Sequence, residues 1–468
     1  MTGPLSGATP GPPAPARTPP GRATSGQVAP GPPASARVAA GQAAPARVAP
    51  GQAASARVVI APDKFKGSLS AEEVAAHLAR GLAAAVPGVV TDEIPVADGG
   101  DGTVDAALAA GYRRIDVEVS GPTGEPVTAA FALCGDVAVI EVAQACGLSR
   151  LPDGRLRPLT ATSYGAGELL VAAADAGAGH VVLGLGGSAT TDGGSGLITA
   201  LGGRLLDAAG RPLEPGGAAL AGLRELDLTG RRDLSGLDVI LASDVDNPLL
   251  GPDGAAAIYG PQKGASAADI PVLEQGLARW AEVAETALDG DFRDLPGAGA
   301  AGGLGFAALA FLGARMQPGI EVVLELVSFG ARAAGASLVI TGEGSLDEQT
   351  LRGKAPAGVA LAARLASPGT PVVAVAGSCT LDEASLARAG IAGAYALSAV
   401  EPDLASSMTN AGPLLEKVAA QVAADWLRPL PDAPPALPAS VGDHKRSVRA
   451  FAVMITPGPG MPESAPCP

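Results

Sequence analysis

Hydrophobic positions along this chain occur in short apolar runs, and each run ends in a loop that is rich in glycine and acidic residues. Five runs show this arrangement, at 58–61, 94–97, 180–183, 239–242 and 338–340. An apolar run of this length bounded by turn residues predicts a buried strand. Because the ligand crevice of an open α/β sheet lies outside the carboxyl ends of its strands, these loops predict a binding site.

Helical apolar spacing follows most of these loops. A capping box at 70–73 precedes Val74, Leu78 and Leu82, so we predict a helix after the first strand. The same reasoning predicts further helices near 165–177, 195–206, 271–287, 303–314, 320–335 and 356–367. It predicts further strands at 180–185, 238–243, 337–341 and 371–376.

The segment from 115 to 142 has a different period, since its apolar residues alternate around a turn at 121–124. Alternation of this kind predicts a short antiparallel meander, and the fold class is therefore α/β with a β-rich insertion. The two ends are rich in Ala, Pro and Gly and lack the apolar periodicity that a core requires. We expect a disordered extension at 1–56, a folded core at 57–428 and a disordered tail at 429–468.

Composition narrows the functional classes. The length of 468 residues predicts two or three domains, and the net charge of −15 disfavours nucleic acid as a partner. No apolar run reaches the roughly 18 residues that span a bilayer, and no secretory signal is visible, so we expect a cytoplasmic protein without a membrane partner. The four cysteines lack paired spacing and there are only three histidines, which disfavours a zinc site, a disulfide framework and a Ser-His-Asp hydrolase.

The strongest local signal is the loop 184–196, which contains six glycines together with Ser and Thr hydroxyl groups. Glycine lets backbone N–H groups approach a ligand, and the helix predicted after Ser195 offers its positive end, so the loop suits a phosphate. A tight strand-to-helix turn is the alternative. Asp192 inside this loop suggests a metal ligand or a base for phosphoryl transfer. Other acidic candidates, each also typical of a turn or a helix cap, are Asp98, Asp101, Asp244, Asp246 and Glu343.

Two weaker signals accompany that loop. Residues 297–303 match G-x-G-x-x-G, but no strand precedes them, which argues against a dinucleotide fingerprint and favours a second phosphate or adenosine loop or a helix start. In so acidic a chain, basic residues beside the loops are natural partners for a carboxylate or phosphates, although each could also be an ordinary surface residue. These basic residues are Lys64, Lys66, Lys263, Arg352 and Lys354.

Seven motifs then stand in a fixed order along the core. They are APDKFKGSLSA (61–71), PVADGGDGT (95–103), GGSATTDGGSG (186–196), SDVDNPLLG (243–251), YGPQKGA (259–265), PGAGAAGGLG (296–305) and ITGEGSLDEQTLRGK (340–354). Together they resemble the bacterial-type glycerate kinase family, and they extend over almost the whole predicted core. Tyr164 departs from that resemblance, because some members of the family carry Arg at this position, and we leave it out of the site.

The resemblance implies ATP-dependent phosphorylation of a hydroxyl of D-glycerate with Mg²⁺, with 2-phosphoglycerate favoured over 3-phosphoglycerate as product. It implies two α/β domains around a cleft. One is Rossmann-like and formed by both chain ends (about 57–114 plus 292–428), and the other by the middle (about 115–291) with the meander. The expected partners are D-glycerate and ATP, and a homodimer is one option for the assembly.

The predicted site combines these motifs with the candidates above. The catalytic candidates are Asp192, as the base or its immediate neighbour, with Lys66 and Asp63. Substrate binding is assigned to Ser68, Asp98, Gly99, Gly100, Asp101 and Arg352. Nucleotide and phosphate binding is assigned to Gly186, Gly187, Ser188, Thr190, Thr191, Gly302, Gly303 and Lys263. The predicted metal ligands are Asp244, Asp246 and Glu343.

Three alternatives remain open at this point. The first is a kinase for another small hydroxyacid on the same scaffold, and the second is a dinucleotide-dependent oxidoreductase built on 297–302. The third is a catalytically silent metabolite-binding regulator, against which the acidic residues of all five loops count.

Overall fold

The structure is a computed structural model that describes residues 37–39 and 56–427. Its strands are β1 (Arg37–Ala39), β2 (Arg57–Pro62), β3 (Val90–Glu93), β4 (Arg113–Ser120), β5 (Pro126–Cys134), β6 (Val137–Glu141), β7 (His180–Gly184), β8 (Arg204–Leu206), β9 (Glu225–Asp227), β10 (Asp238–Ala242), β11 (Arg315–Gln317), β12 (Leu338–Leu346), β13 (Val372–Cys379) and β14 (Gly393–Ala396). Its α-helices are α1 (Ala71–Ala85), α2 (Thr103–Ala109), α3 (Ala143–Cys146), α4 (Tyr164–Asp175), α5 (Ser195–Ala200), α6 (Asp269–Leu288), α7 (Ala300–Leu312), α8 (Gly319–Leu326), α9 (Phe329–Ala333), α10 (Ala355–Ala366), α11 (Glu383–Arg388), α12 (Leu404–Thr409) and α13 (Ala411–Trp426). Shorter helical turns lie at Leu148–Arg150, Pro152–Gly154, Gly217–Gly222, Ala255–Tyr259, Pro261–Lys263, Thr350–Arg352 and Leu397–Ala399.

The first sheet has six strands in the order β1-β14-β13-β12-β2-β3. All neighbours in it are parallel except β1, which pairs antiparallel with β14 at the edge. Helices cover both faces: Leu78 of α1 and Val418 of α13 share one core cluster, and Val359 of α10 belongs to the cluster on the other face. Burial on both faces explains why these strands read as continuous apolar runs.

The second sheet also has six strands, in the order β11-β10-β7-β6-β5-β4. The strands from β11 to β6 are parallel, whereas β6, β5 and β4 form the antiparallel meander. A large core cluster on one face includes residues of α4, α6 and α7, and its largest side chain, Trp280, stacks on Phe311 with ring centroids 5.5 Å apart. Strands β8 and β9 form a separate antiparallel pair that the sequence patterns did not predict.

The predicted α/β fold class, with its antiparallel meander, is confirmed. The helix predicted at 195–206 is wrong in its second half: α5 ends at Ala200, because Gly202 takes φ +95° and the chain turns into β8. The helix predicted at 320–335 is two helices, α8 and α9, separated where Ser328 adopts φ +53°. Across the described residues, no helix combines the length and the apolar character needed to cross a bilayer.

The division into two domains and the homodimer stay predictions. The chain remains with the second sheet beyond residue 292, since β11 pairs with β10 of that sheet. The extension predicted at 1–56 lies outside the described residues except for Arg37–Ala39, which forms β1, and Ala56. The tail predicted at 429–468 lies entirely outside them.

Candidate active site

Strand-end loops from both sheets meet at one cleft with a volume of about 980 Å³. Residues 63–66 follow β2, 343–345 lie near the end of β12, and 186–187 follow β7. The predicted site residues that line this cleft are Asp63, Lys66, Ser68, Asp98, Gly100, Asp101, Gly186, Gly187 and Glu343. Lysines, carboxylates and a glycine loop are therefore combined in one place, which is the composition that phosphoryl transfer requires.

The loop after β2 is a tight turn that presents its lysines to the cleft. The Phe65 amide donates to the Leu69 carbonyl at 2.9 Å, which closes the turn and leaves Lys66 exposed at its tip. The Lys64 ammonium lies 3.8 Å from Asp63 Oδ1 and 3.9 Å from Asp101 Oδ2. Lys64 thus links the acidic residues of two neighbouring loops.

Two buried carboxylates lie close together on adjacent parallel strands, Asp63 just after the end of β2 and Glu343 within β12. The Asp63 amide donates to the Gly342 carbonyl at 2.8 Å, and Pro62 pairs with Gly342, so each carboxylate follows directly on this paired position. Burial raises the pKa of Asp63 to about 6, although nearby Lys64 opposes the shift. Burial likewise raises the pKa of Glu343 to about 7, against a hydrogen bond that Thr350 Oγ1 donates to it. Carboxylates with a pKa near neutrality are suited to proton transfer at physiological pH.

The loop containing Asp98 and Asp101 is held from the second sheet by Glu141, a residue that sequence reasoning missed. Glu141 ends β6 and is 2% exposed, and its Oε1 accepts from the Gly102 amide at 2.9 Å and the Val104 amide at 2.7 Å. Burial raises the pKa of Glu141 to about 7, against the hydrogen bond from Val104. The signal was present, because the apolar run 137–140 is also followed directly by an acidic residue, Glu141.

Gly99 of the same loop packs against the protein and is absent from the lining of the cleft. At φ +84°, an added Cβ would lie 2.7 Å from the Ala242 carbonyl oxygen. Gly319 at the start of α8 also packs against this loop, and an added Cβ there would lie 2.0 Å from the Asp98 carbonyl oxygen. These glycines are required for close backbone contact.

Asp192 lies inside the protein, 0% exposed. Its Oδ2 accepts from the Ser163 amide at 2.8 Å, from Ser163 Oγ at 2.9 Å and from the Gly196 amide at 3.3 Å, and its Oδ1 accepts from the Gly194 amide at 3.2 Å. Burial raises the pKa of Asp192, opposed by these hydrogen bonds. A base must reach the proton that it removes, so this geometry favours a structural role for Asp192 over the predicted catalytic one. Sequence reasoning missed its partner Ser163.

The remaining phosphate-binding candidates form the inner side of the glycine loop. Lys263 is 2% exposed, and its Nζ donates to Ser188 Oγ at 2.9 Å and to the Thr190 carbonyl at 2.6 Å. Burial lowers the pKa of Lys263 to about 8. The Thr190 and Thr191 side chains are 0% exposed, so neither faces the cleft. The structure thus places these residues beneath the loop as its support.

The motif at 297–303 is a helix start that packs against the same loop. Gly302 adopts φ +73°, and an added Cβ there would lie 1.9 Å from the Thr190 carbonyl oxygen. An added Cβ at Gly303 would lie 2.8 Å from the Gly193 Cα. Because the protein itself occupies the space around these glycines, they are not placed to approach a nucleotide.

The predicted metal ligands do not come together. Asp244 and Asp246 line a second groove, with a volume of about 1390 Å³, whereas Glu343 lines the first cleft. Asp244 Oδ1 accepts from the Gly319 amide at 3.1 Å, and burial raises its pKa. In the described part of the chain, no three His, Cys, Asp or Glu side chains are grouped so that they could hold a metal ion. Arg352, predicted to bind substrate, lies in the turn Thr350–Arg352. Its side chain is outside the part of the chain that the structure describes, so this role stays a prediction.

The fold and the cleft define an α/β protein whose cleft has the composition of a phosphoryl-transfer site. Comparison with known proteins identifies the family. The glycerate kinase family profile matches residues 58–427. The chain is 47% identical over 370 residues to "Glycerate kinase" of Bacillus subtilis, covering 78% of this chain and 96% of that protein. It is 45% identical over 338 residues to "Glycerate 2-kinase" of Escherichia coli, covering 71% and 88% respectively.

A solved structure gives the same result. The chain matches the crystal structure of a protein assigned as glycerate kinase 2 from Salmonella typhimurium LT2 with a TM-score of 0.67 and 42% identity, over 79% of this chain and 98% of that one. The chain therefore belongs to the glycerate kinase family, whose named members are kinases, and the resemblance drawn from the seven motifs is confirmed.

Proposed function

We propose that this protein transfers the γ-phosphoryl group of ATP to a hydroxyl of D-glycerate and forms 2-phosphoglycerate in preference to 3-phosphoglycerate. One observation carries the proposal: residues of the family motifs converge on a single cleft that combines Lys66, two carboxylates of raised pKa and the glycines 186–187. The relative named glycerate 2-kinase supports the choice of product.

We assign the role of base to Asp63 rather than to Asp192. Asp63 lines the cleft, and its pKa of about 6 leaves it ionised at neutral pH yet able to accept a proton from a substrate hydroxyl. Lys66 and Lys354 line the same cleft and offer positive charge to the glycerate carboxylate and to the phosphates. The backbone at 186–187 lines this cleft and, unlike Gly302 and Gly303, is open to a phosphate there, although Gly186 also packs against Gly100.

The cleft also fits Mg²⁺ that enters with ATP. Mg²⁺ is usually held by one or two carboxylates together with substrate phosphates, and the buried Glu343 carboxylate beside Asp63 supplies such a ligand. The cation would neutralise negative charge on the phosphates. Asp244 and Asp246 lie in the other groove, so we do not assign them to this ion.

The test is the release of ADP by the purified protein from Mg-ATP, with and without D-glycerate, followed by ³¹P NMR of the product. We expect D-glycerate to stimulate ADP release, and we expect the phosphorus signal to be split by the single proton on C2. Splitting by the two protons on C3 would instead identify 3-phosphoglycerate. Folded protein that shows no response to D-glycerate would contradict the proposal and would lead to a screen of other small hydroxyacids.

A further inference from the structure

The cleft has an apolar end that glycerate cannot use. Leu397, Pro402, Leu404 and Met408 line this end, and Leu404 and Met408 are 72% and 40% exposed even though they are large apolar side chains. Glycerate is a small, charged molecule whose hydroxyl groups and carboxylate need polar partners. An exposed apolar surface in a cleft marks a place where a ligand with an apolar part binds.

This apolar end is joined directly to the polar end. Ser68 Oγ donates to the Met408 carbonyl at 2.7 Å, and an added Cβ on Gly67 would lie 3.3 Å from the Met408 Cε. The loop that carries Lys66 therefore touches α12, and Lys66 lines the same cleft as the apolar side chains and the carboxylates. A ligand that spans the cleft would pass from an apolar surface to an ammonium group and then to the glycine loop.

We propose that the apolar end binds the nucleoside part of ATP, with the adenine against Leu404 and Met408 and the triphosphate directed past Lys66 towards residues 186–187. This inference rests on the proposed kinase function. A nucleobase has two apolar faces that gain from burial, while the phosphates need cations and backbone N–H groups. Only the combination of both ends matches both parts of the nucleotide.

The second groove is larger and also has apolar side chains, but it lacks the groups that suit phosphates in the first cleft. Carboxylates line both: Asp244, Asp246, Glu321 and Glu325 line the second groove, and Asp63, Asp98, Asp101, Glu343, Asp347 and Glu401 line the first cleft. The basic residues of the second groove are Arg364 and Arg388, whereas the first cleft combines Lys64, Lys66 and Lys354 with the glycine-loop residues 186–187. The glycine loop with its neighbouring lysines therefore assigns the nucleotide to the first cleft, and the second groove supplies a control.

The experiment compares two double variants that are matched in exposure and spacing. Leu404→Ser/Met408→Ser removes side chains that are 72% and 40% exposed and four residues apart on α12. Leu365→Ser/Leu361→Ser removes side chains that are 74% and 43% exposed and four residues apart on α10, in the second groove. Steady-state kinetics gives KM for ATP and for D-glycerate, and equilibrium dialysis gives Kd for ADP.

We expect the α12 variant to raise KM for ATP and Kd for ADP about tenfold, with KM for D-glycerate within about twofold of the parent, and the α10 variant to match the parent. Unchanged ADP affinity in a folded α12 variant would overturn the inference. So would a loss of ADP affinity in the α10 variant alone, which would place the nucleotide in the second groove. A change of oligomeric state in the α12 variant with ADP affinity intact would overturn it in favour of contact with a second copy.

The ADP measurement separates this inference from the proposed function. It requires no acceptor, so a parent protein that fails to phosphorylate D-glycerate would still show whether the α12 side chains bind the nucleotide. Circular dichroism and thermal unfolding of both variants establish that any loss of affinity occurs in folded protein.

Discussion

Replacing Glu141 by Gln should change how the stability of this protein depends on pH. Both hydrogen bonds to this side chain, from the Gly102 and Val104 amides, end on the same oxygen, Oε1. Glutamine keeps an oxygen at that position and nearly the same volume, so the loop stays held. What the substitution removes is a titratable group that is 2% exposed.

The size of the effect follows from the pKa. Burial raises the pKa of Glu141 from an ordinary value of 4.5 to about 7, so the native state binds this proton more tightly than the unfolded chain does. The resulting stabilisation is complete below about pH 4.5 and is lost as pH rises through about 7. The separation of the two pKa values corresponds to about 3 kcal/mol in the free energy of unfolding.

Urea unfolding followed by circular dichroism, at pH 5 and at pH 8, measures this quantity. Relative to the parent, Glu141→Gln should gain about 2.5 kcal/mol of stability between these two pH values, most of the full effect, because the neutral amide pays no cost of burying a charge. Asp63 and Glu343 also have raised pKa values, but their contribution is shared by both proteins and cancels in the difference. Glu118→Gln, a change of an exposed glutamate on β4, serves as the control and should follow the parent. Identical pH dependence of the parent and Glu141→Gln would refute the reasoning.

Three further predictions concern the cleft and the loop beneath it. Asp63→Asn should lower kcat on the order of 10²-fold. In the parent protein, kcat/KM should fall as pH drops below about 6, because a base must be ionised to accept a proton. An unchanged kcat of the variant in steady-state assays would exclude Asp63 as the base. Asp192→Ala leaves several buried donors without an acceptor and should lower the free energy of unfolding by about 3 kcal/mol in urea titrations, whereas full stability with lost activity would restore Asp192 as a catalytic residue. Lys66→Ala should raise KM for at least one substrate by about tenfold with little change in thermal stability, because the side chain is exposed at the tip of its loop.

The sequence was sufficient to predict the central parallel strands β2, β7, β10, β12 and β13, because burial on both faces leaves a direct trace in it. The outer strands β3, β11 and β14 were not predicted, and the apolar run 94–97 follows β3 rather than forming a strand. Val59 and Ile60 of β2 face opposite sides of the first sheet and belong to different core clusters, so both are apolar. The same logic located the loops of the cleft, since loops at the ends of parallel strands must lie at one edge. The end of α5 was missed because apolar residues continue to Leu206, although Gly202 and Gly203 are a stop signal for a helix and the chain turns at Gly202.

The roles of individual loop residues were harder to predict, because a sequence does not say which side of a loop faces the interior. Asp192 and Lys263 lie in or beside a glycine-rich loop, where an exposed charge would suit catalysis. In the structure both are buried and hydrogen-bonded to the loop itself. Glu141 was missed for the opposite reason: it contacts the site only through the amides of a neighbouring loop, a contact between residues distant in sequence.

The contact between Gly99 and Gly319 has a consequence for any attempt to change substrate preference by directed evolution. Neither position has room for a methyl group, because the backbone of Ala242 and of Asp98 already occupies that space. Libraries that randomise the Asp98–Asp101 loop would therefore consist mostly of misfolded members. Leu404 and Met408 on α12 are 72% and 40% exposed, so substitutions there can vary the shape and polarity of the apolar end of the cleft, where they act on the nucleotide, without crowding the backbone.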